Sequence, residues 1–274
     1  MDAPSPQLLP VALVQMDSRE DVATNVATAE RLAREAARGG ARFIALPEMY
    51  HFRSTGQPAS LPGETIPGPS TRGLQAIAAE HACAILAGSI CEAIPGSVKV
   101  HNTSVLIGPD GAINATYRKI HLFDVEMDGV SIRESDWYVP GETTSTGDVF
   151  GRTVGLSICY DLRFPELYRR HADRRAEILT VPASFTATSG AAHWESLLRA
   201  RAIENQAFVL APGQVGAGSG GVMTYGNSLV VDPWGVVLAR GSDGGTEIVT
   251  ATLDFARQEE VRRRLPALGH RRLG

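Results

Sequence analysis

The chain has 274 residues, of which 43% are hydrophobic and 20% charged, so it can bury a sizeable core without disulfides or metals. Its net charge of -4 argues against nucleic-acid binding, which needs a concentrated basic face. Three cysteines without paired spacing favour a reducing cytoplasm. No apolar run approaches the roughly 18 residues of a membrane span, and residues 1–6 do not resemble a signal peptide. We therefore expect a cytoplasmic protein that binds neither nucleic acid nor membrane.

Strands and helices alternate in the first third of the chain. Apolar runs predict strands over residues 8–16, 41–46 and 84–91, and helical periodicity predicts a helix over residues 21–38. Ser70 is placed to cap a second helix. The β-α-β-α-β order is typical of a layered α/β sheet.

The rest of the chain is richer in strands. We expect a hairpin over residues 101–118, a polar loop over 122–144, strands at 153–158, 178–181, 207–211, 228–231, 236–240 and 247–253, and helices at 165–175, 190–206 and 255–265. No repeat or long linker divides the sequence. The expectation is one domain over residues 1–274, with a core of about residues 8–265 in which helices lie outside two layers of sheet.

Two familiar patterns in the sequence do not indicate sites. Residues 216–221 match the dinucleotide pattern G-x-G-x-x-G, but they lead into residues 222–225, which we predict to be a strand rather than the required helix. Cys83 and Cys91 have no C-x-x-C spacing and no histidine pair accompanies them, so we expect both in the core and no metal site.

Cys159 lies where a predicted buried strand ends, and Pro165 lies where a helix would begin. A thiol at such a position can be both exposed and acidified by the helix N-terminus. Alone, the pattern favours a small core residue, because a lone cysteine is only a candidate nucleophile. A Cys-His hydrolase stays open, because His193, with Glu195 nearby, could approach Cys159.

Charged residues follow two further predicted strands. Glu48 follows the strand over residues 41–46, at the sheet edge where α/β proteins place ligands, and Lys119 follows the hairpin. Either residue on its own would be interpreted as a solvent-exposed charge at the end of a strand. With Cys159 they supply a thiol nucleophile, a carboxylate that can take its proton, and a cation that can stabilise an oxyanion. Amide cleavage by a thiol requires these three groups.

Three segments resemble the catalytic motifs of the nitrilase, or carbon-nitrogen hydrolase, superfamily. They are Leu46-Pro47-Glu48, residues 117–124 and residues 158–166, and they occur in that family's order. The resemblance continues through residues 192–195 and 232–235, so it covers nearly the whole chain. It implies an α/β fold, a four-layer α-β-β-α sandwich, that pairs as a homodimer.

The resemblance also implies roles for site residues. Glu48 would be the general base, Lys119 the oxyanion stabiliser and Cys159 the nucleophile. The backbone N–H of Tyr160 would complete the oxyanion hole, and Glu134 would hold Lys119 and help position the substrate. No metal or organic cofactor is implied.

Within the superfamily, residues 119–124, 193–195 and 197–204 look closest to the branch that contains omega-amidase and deaminated glutathione amidase, and the last run resembles the latter more. That resemblance implies hydrolysis of the terminal amide of a small anionic 2-oxo acid, deaminated glutathione first, to a carboxylate and ammonia through a cysteine thioester. Arg163 matches the arginine that binds the substrate carboxylate. Ser189 matches a polar position facing the substrate, where branch members often carry threonine.

Several alternatives remain open from the sequence. The substrate could be 2-oxoglutaramate, as for omega-amidase, or a nitrile, an N-carbamoyl amine or an aliphatic amide. The remote alternative is an inactive interaction module. The complete set Glu48, Lys119, Glu134 and Cys159 argues against it, because a protein without this chemistry has no need to retain all four.

Overall fold

Two six-stranded sheets form the centre of the computed structural model, which describes residues 6–54, 56, 60–127 and 129–273. The strands are β1 (Leu8–Gln15), β2 (Phe43–Ala45), β3 (Ala84–Ala93), β4 (Val100–Ile107), β5 (Ile113–Arg118), β6 (Asp124–Met127), β7 (Val130–Arg133), β8 (Thr146–Val149), β9 (Arg152–Leu156), β10 (Ile178–Thr180), β11 (Phe208–Ala211), β12 (Leu229–Val231), β13 (Val237–Arg240) and β14 (Glu247–Asp254). The helices are α1 (Val22–Arg38), α2 (Pro69–His81), α3 (Pro165–Asp173), α4 (Ala187–Asn205) and α5 (Phe255–Arg264).

Each sheet has a parallel centre and antiparallel edges. The first has the order β14-β1-β2-β3-β4-β5, in which β1, β2 and β3 are parallel. The second has the order β13-β12-β11-β10-β9-β8, in which β9, β10 and β11 are parallel. β6 and β7 form a separate hairpin. The parallel strands are those that helices connect, as short α/β crossovers require.

Alternate residues of the strands face two different layers. Leu13 of β1 belongs to a buried cluster that includes Leu156 of β9 in the second sheet. Its neighbour Val14 packs instead with Leu32 of α1 and Ile77 of α2. Because successive side chains on a strand point to opposite faces, this pattern places a sheet-sheet layer inside and helices outside. The predicted four-layer α-β-β-α sandwich is confirmed.

Two local predictions near helices were wrong. Ser70 is not the cap of α2: Gly68 occupies that position, Pro69 is the first helical residue, and the Ser70 backbone N–H donates to the Glu64 carboxylate. The fourth helix begins at Ala187 rather than at residue 190, because Thr186 is the extended residue before it.

The predictions for three further segments differ from the structure. The loop expected over residues 122–144 contains the β6–β7 hairpin and a 3₁₀ turn, Glu134–Asp136, and β8 was not predicted. The Asp128-Gly129 pair is a hairpin signal, and Gly129 has the positive φ of 77° that such turns favour. Residues 222–225 form isolated bridges rather than a strand, because Thr224 pairs across to Thr186 and Met223 to Ala217.

The N-terminal expectation about a signal peptide concerns residues 1–6, of which residues 1–5 lie outside the described residues. Among the helices that are described, none combines the length and the apolar character that crossing a membrane demands. Cys83 and Cys91 are both buried and unpaired, as predicted.

Candidate active site

Strand directions explain how three distant segments meet. β4 is antiparallel to both β3 and β5, so β5 runs in the same direction as β2. The carboxyl ends of β2 and β5 therefore lie at the same edge of the first sheet, with Glu48 after one and Lys119 after the other. Cys159 follows β9 of the facing sheet. The site lies between the two sheets at this edge.

A bulge in β3 makes room for the turn that carries Glu48. The β3–β4 register shifts between Ala87 and Ile90. A Cβ added at Gly88 would lie 1.9 Å from the Pro47 carbonyl oxygen, so only glycine allows this approach. The Ser89 hydroxyl accepts a hydrogen bond from the Met49 N–H at 2.9 Å. The bulge thus fixes the backbone on both sides of Glu48.

The Glu48 carboxylate is buried and accepts hydrogen bonds at both oxygens. Its Oε1 accepts from Asn102 Nδ2 at 3.0 Å and from Lys119 Nζ at 2.9 Å. Its Oε2 accepts from the backbone N–H of Ser184 at 2.8 Å. These donors hold the carboxylate in one orientation, in the same cleft as Cys159. The negative charge of Glu48 is close enough to raise the pKa of the Cys159 thiol. Glu48 is therefore within reach of the thiol proton.

Lys119 lies between two carboxylates. Its Nζ is 2.9 Å from Glu48 Oε1 and 2.9 Å from each carboxylate oxygen of Glu134. Glu134 is fixed in turn by the Phe123 backbone N–H, which donates to Oε2 at 2.8 Å. Burial alone would lower the pKa of Lys119, but the carboxylates of Glu134 and Glu48 outweigh it and hold that pKa well above its usual value. The buried amine is therefore a permanent cation at neutral pH.

Cys159 has a strained backbone. Its φ is +48°, in the left-handed region that non-glycine residues rarely adopt. Two hydrogen bonds hold the turn: the Cys159 N–H donates to the Pro182 carbonyl at 3.0 Å, and the Ile158 N–H donates to Asp161 Oδ2 at 2.9 Å. Strain of this kind persists where surrounding structure enforces it, and it is common at functional sites.

The structure does not show the exposed, acidified thiol that this position could have allowed. Cys159 is buried, with 8% of its surface exposed, and burial together with the neighbouring Glu48 raises its pKa well above the usual value despite the opposing effect of Lys119. The 3₁₀ turn Cys159–Arg163, rather than the first turn of α3, follows the thiol, and α3 begins only at Pro165. At neutral pH the resting side chain is therefore a thiol, and a base is required to generate the thiolate.

Asp161 joins the Cys159 turn to the segment that carries Lys119. Besides the Ile158 N–H, its buried carboxylate accepts from the Tyr117 hydroxyl at 2.8 Å. It also accepts from the His121 backbone N–H at 3.1 Å and lies 2.7 Å from His121 Nδ1. The turn after β9, which carries Cys159, is therefore fixed relative to the segment after β5, which carries Lys119.

A cleft of about 550 Å³ opens over Cys159. It is lined by Glu48, Met49, Phe123, Ile132, Glu134, Cys159, Tyr160, Arg163, Ser184, Phe185, Thr186, Ser189, Gly218, Ser219, Val222 and Thr224. The backbone N–H of Tyr160 has no acceptor among the described residues, whereas those of Cys159 and Asp161 are both bonded. Five predicted side chains and the Tyr160 backbone thus share one cleft, and buried Lys119 lies directly behind Glu48 and Glu134.

Arg163 lies in the cleft wall with its charge unpaired by any carboxylate of the described chain. Its guanidinium carbon is 5.0 Å from the centre of the Phe185 ring, and Nη1 is 3.2 Å from His193 Nδ1. Ser189 is also in the wall, with its hydroxyl 2.6 Å from that of Thr186. Because His193 contacts Arg163 and does not line the cleft, whereas Glu48 lines it together with Cys159, the Cys-His hypothesis is not supported.

Comparison with known proteins decides the family. The model of the carbon-nitrogen hydrolase family matches residues 10–263. This chain is a carbon-nitrogen hydrolase. It is 38% identical over 265 residues to human omega-amidase, covering 96% of this chain and 94% of that protein. It is 40% identical over 267 residues to deaminated glutathione amidase of Synechocystis sp. strain PCC 6803, covering 95% and 97%.

A solved structure agrees with these relatives. The NitFhit protein of C. elegans superimposes with a TM-score of 0.88 at 33% identity, over 98% of this chain and 66% of that one. Membership of the family makes this protein an enzyme that hydrolyses carbon-nitrogen bonds, and its relatives are amidases that act on small amides. The two curated relatives have nearly equal identity, so overall similarity does not choose between their substrates.

Sequence reasoning missed several residues that build the site of this carbon-nitrogen hydrolase. The Asn102 side-chain amide donates to Glu48. The backbone carbonyl of Asn102 accepts a hydrogen bond from the Lys119 backbone N–H at 2.8 Å. Ser184 supplies the other donor to Glu48, and Asp161 fixes the Cys159 turn. The available signal for Asn102 was the polar run over residues 101–104 inside a predicted strand, because polar side chains that become buried need partners.

Proposed function

We propose that this protein is a thiol amidase that hydrolyses the terminal amide of small anionic 2-oxo acids, with deaminated glutathione as the first candidate and 2-oxoglutaramate as the second. The observation that carries the proposal is that the Cys159 thiol shares one cleft with a buried carboxylate, Glu48, that accepts a hydrogen bond from Lys119. A thiol, a base and a cation gathered in one cleft are the groups that acyl transfer needs.

In the first half of the reaction, Glu48 takes the thiol proton as the Cys159 sulfur attacks the amide carbon. The carbonyl π electrons move to oxygen and form a tetrahedral oxyanion. Glu48 then gives its proton to the departing nitrogen, the carbon-nitrogen bond breaks and a thioester remains on Cys159. The raised pKa of the thiol supports this coupling, because the nucleophile forms only as its proton is removed.

The oxyanion has two proposed donors. Lys119 supplies a permanent positive charge in a buried setting, where it stabilises the developing negative charge more strongly than it would in water. The Tyr160 backbone N–H, without an acceptor in the described chain, supplies the second. Glu134 holds Lys119 in place from the side opposite Glu48.

In the second half, Glu48 takes a proton from water as the water oxygen attacks the thioester. The carbon-sulfur bond then breaks, the free acid leaves and the thiol regains a proton. None of these steps uses a group beyond the described side chains and water.

Arg163 supports an anionic substrate. A guanidinium that has no carboxylate partner among the described residues and is held in the cleft wall is a binding group for a substrate carboxylate. We propose that Ser189, on the same wall, hydrogen-bonds to the polar part of the substrate. The expectation that deaminated glutathione would release ammonia was wrong. Its amide nitrogen belongs to a cysteinylglycine unit, so cleavage releases that dipeptide. Only a primary amide, such as that of 2-oxoglutaramate, releases ammonia.

The test of the proposed function is a substrate panel that follows 2-oxoglutarate, the product common to both candidates. Deaminated glutathione, 2-oxoglutaramate, an N-carbamoyl amine and a nitrile are each incubated with the protein, and ammonia is followed for the last two. Turnover of the first two alone supports the proposal, and their ratio of kcat/KM chooses between them. Turnover confined to the carbamoyl amine or the nitrile rejects it.

Changing Arg163 to methionine is expected to raise the KM for 2-oxoglutaramate about 10- to 100-fold, because hydrogen bonds to a charged group are lost while the stem of the side chain is retained. The KM for the diamide of 2-oxoglutarate, which has the same length and no carboxylate, should change less than about 3-fold. Arg170→Met, an exposed arginine on α3, is the matched control. An equal effect on both substrates would contradict the assigned role.

The family resemblance supports three further proposals. We propose a single domain over the chain, a cytoplasmic location that suits three unpaired cysteines, and a homodimer. An exposed apolar patch around Gly235 supports the dimer, because such patches commonly mark protein–protein interfaces. It consists of three side chains that are about half exposed: Ile203 of α4, Trp234 and Val236. A molar mass of one chain by light scattering would reject the dimer.

A further inference from the structure

We propose that His193 is a positioning residue that sets the specificity of this enzyme for anionic amides, by holding the Arg163 guanidinium ready for the substrate carboxylate. The inference rests on the proposed function, because it assigns Arg163 to that carboxylate. It concerns a side chain at the outer end of the cleft wall that does not line the cleft itself but contacts a residue that does.

The geometry defines the chemistry of the contact. His193 Nδ1 lies 3.2 Å from Arg163 Nη1, and every guanidinium nitrogen is a donor without a lone pair to accept. We therefore infer that the imidazole accepts at Nδ1, in the tautomer that carries its proton on Nε2. A neutral acceptor orients the guanidinium and leaves its full positive charge for the substrate. A carboxylate in the same position would orient Arg163 but neutralise it.

The other contacts of Arg163 leave this role to His193. The Phe185 and Tyr160 rings lie 5.0 and 5.8 Å from the guanidinium carbon, and ring faces attract a cation without fixing its rotation in the plane. The hydrogen bond between Arg163 Nη1 and His193 Nδ1 fixes that rotation. An unrestrained arginine loses substantial side-chain entropy when it binds, so a side chain that is already held binds a carboxylate more tightly.

The position of His193 on α4 suits the role. Ser189 and His193 are four residues apart and so lie on one face of the helix, one turn from each other. Ser189 is in the cleft wall, which places His193 at the outer end of the same wall, beside Arg163. His193 is exposed, so its replacement is expected to leave the fold intact.

The test compares His193→Leu with His193→Asn. Leucine removes the acceptor and should raise the KM for 2-oxoglutaramate about 3- to 10-fold with little change in kcat. Asparagine can place its amide oxygen near the position of Nδ1 and should restore most of the affinity. The KM for the neutral diamide of 2-oxoglutarate should be the same in both variants and in the unaltered enzyme.

A double-mutant cycle separates this inference from the proposed function. In the Arg163→Met background, His193→Leu should have no further effect on KM, because its action passes through the guanidinium. If Arg163→Met raises the KM for the anionic amide but His193→Leu does not, the inference about His193 is wrong and the proposed function stands. If Arg163→Met has no selective effect, the assignment of Arg163 to the carboxylate fails, and the inference fails with it.

Discussion

Replacing Cys159 with alanine abolishes amide hydrolysis, with an expected loss in kcat of at least about 10⁴-fold. The substitution removes the only atom that can form the thioester, and neither Glu48 nor Lys119 can substitute for it. The rest of the site stays in place, because Glu48 keeps its bonds to Asn102, Lys119 and Ser184. The Kd of the substrate, measured by calorimetry, should therefore change less than about 3-fold.

Cys83→Ala is the matched control for this experiment. Cys83 is also buried and unpaired, but it belongs to the cluster between the first sheet and its helices. The variant should retain nearly full activity, although some stability is lost with the buried sulfur. Residual turnover in Cys159→Ala within 10-fold of the unaltered enzyme would mean that the reaction does not pass through this thiol, and a fall of similar size in Cys83→Ala would mean that the loss reflects destabilisation.

Changing Glu48 to glutamine lowers kcat by about 10²- to 10⁴-fold, the range typical of a lost general base. Burial, the largest cause of the raised pKa of Cys159, is unchanged in the variant, although the effect of the Glu48 charge is lost, and glutamine cannot take the thiol proton. KM should change little, since Arg163 and Ser189 are unaffected. The rate of the variant should rise with pH up to pH 9, because hydroxide then replaces the missing base and more thiolate forms.

The variant should also lose stability. The glutamine oxygen can still accept from Lys119 and Asn102, but its amide group then faces the Ser184 N–H, which is left without an acceptor. The expected loss in the free energy of unfolding is about 1–3 kcal/mol, measurable by urea denaturation. The control variant Glu142→Gln, at an exposed position, should change neither kcat nor the free energy of unfolding. A pH-rate profile of Glu48→Gln that is flat, with unchanged kcat, would remove Glu48 from the role of base.

Much of the architecture could be predicted because it follows from apolar runs. The strands around Val11, Ile44 and Ile85 are continuous hydrophobic segments, as expected for the parallel centre of a sheet covered on both faces. Charged residues directly after such strands fall at the sheet edge where α/β proteins bind ligands. Glu48 and Lys119 were therefore predictable as neighbours of a cleft, and the family motifs added Glu134.

The residues that hold the site together could not be predicted, because their partners are distant in the sequence. Asp161 accepts from Tyr117, 44 residues away, and Ser184 donates to Glu48, 136 residues away. Neither contact leaves a periodic pattern. The raised pKa of Cys159 could not be predicted for a related reason: its burial and its proximity to Glu48 depend on how the two sheets pack. The β6–β7 hairpin is a different case, because its strands Asp-Val-Glu-Met and Val-Ser-Ile-Arg alternate polar and apolar residues around Asp128-Gly129, so its signal was present and was missed.

If Cys159 forms a thioester with the acyl group of the substrate, mass spectrometry can detect that thioester on the enzyme. The unaltered enzyme is mixed with 2-oxoglutaramate, quenched in acid within the first turnovers, digested and analysed for the peptide that contains Cys159. We predict a 2-oxoglutaryl adduct on that cysteine, absent from Cys83 and Cys91, removed by hydroxylamine and lost on longer incubation as 2-oxoglutarate accumulates. Accumulation of 2-oxoglutarate at the normal rate with no adduct at any quench time, or an adduct on another residue, would contradict this prediction.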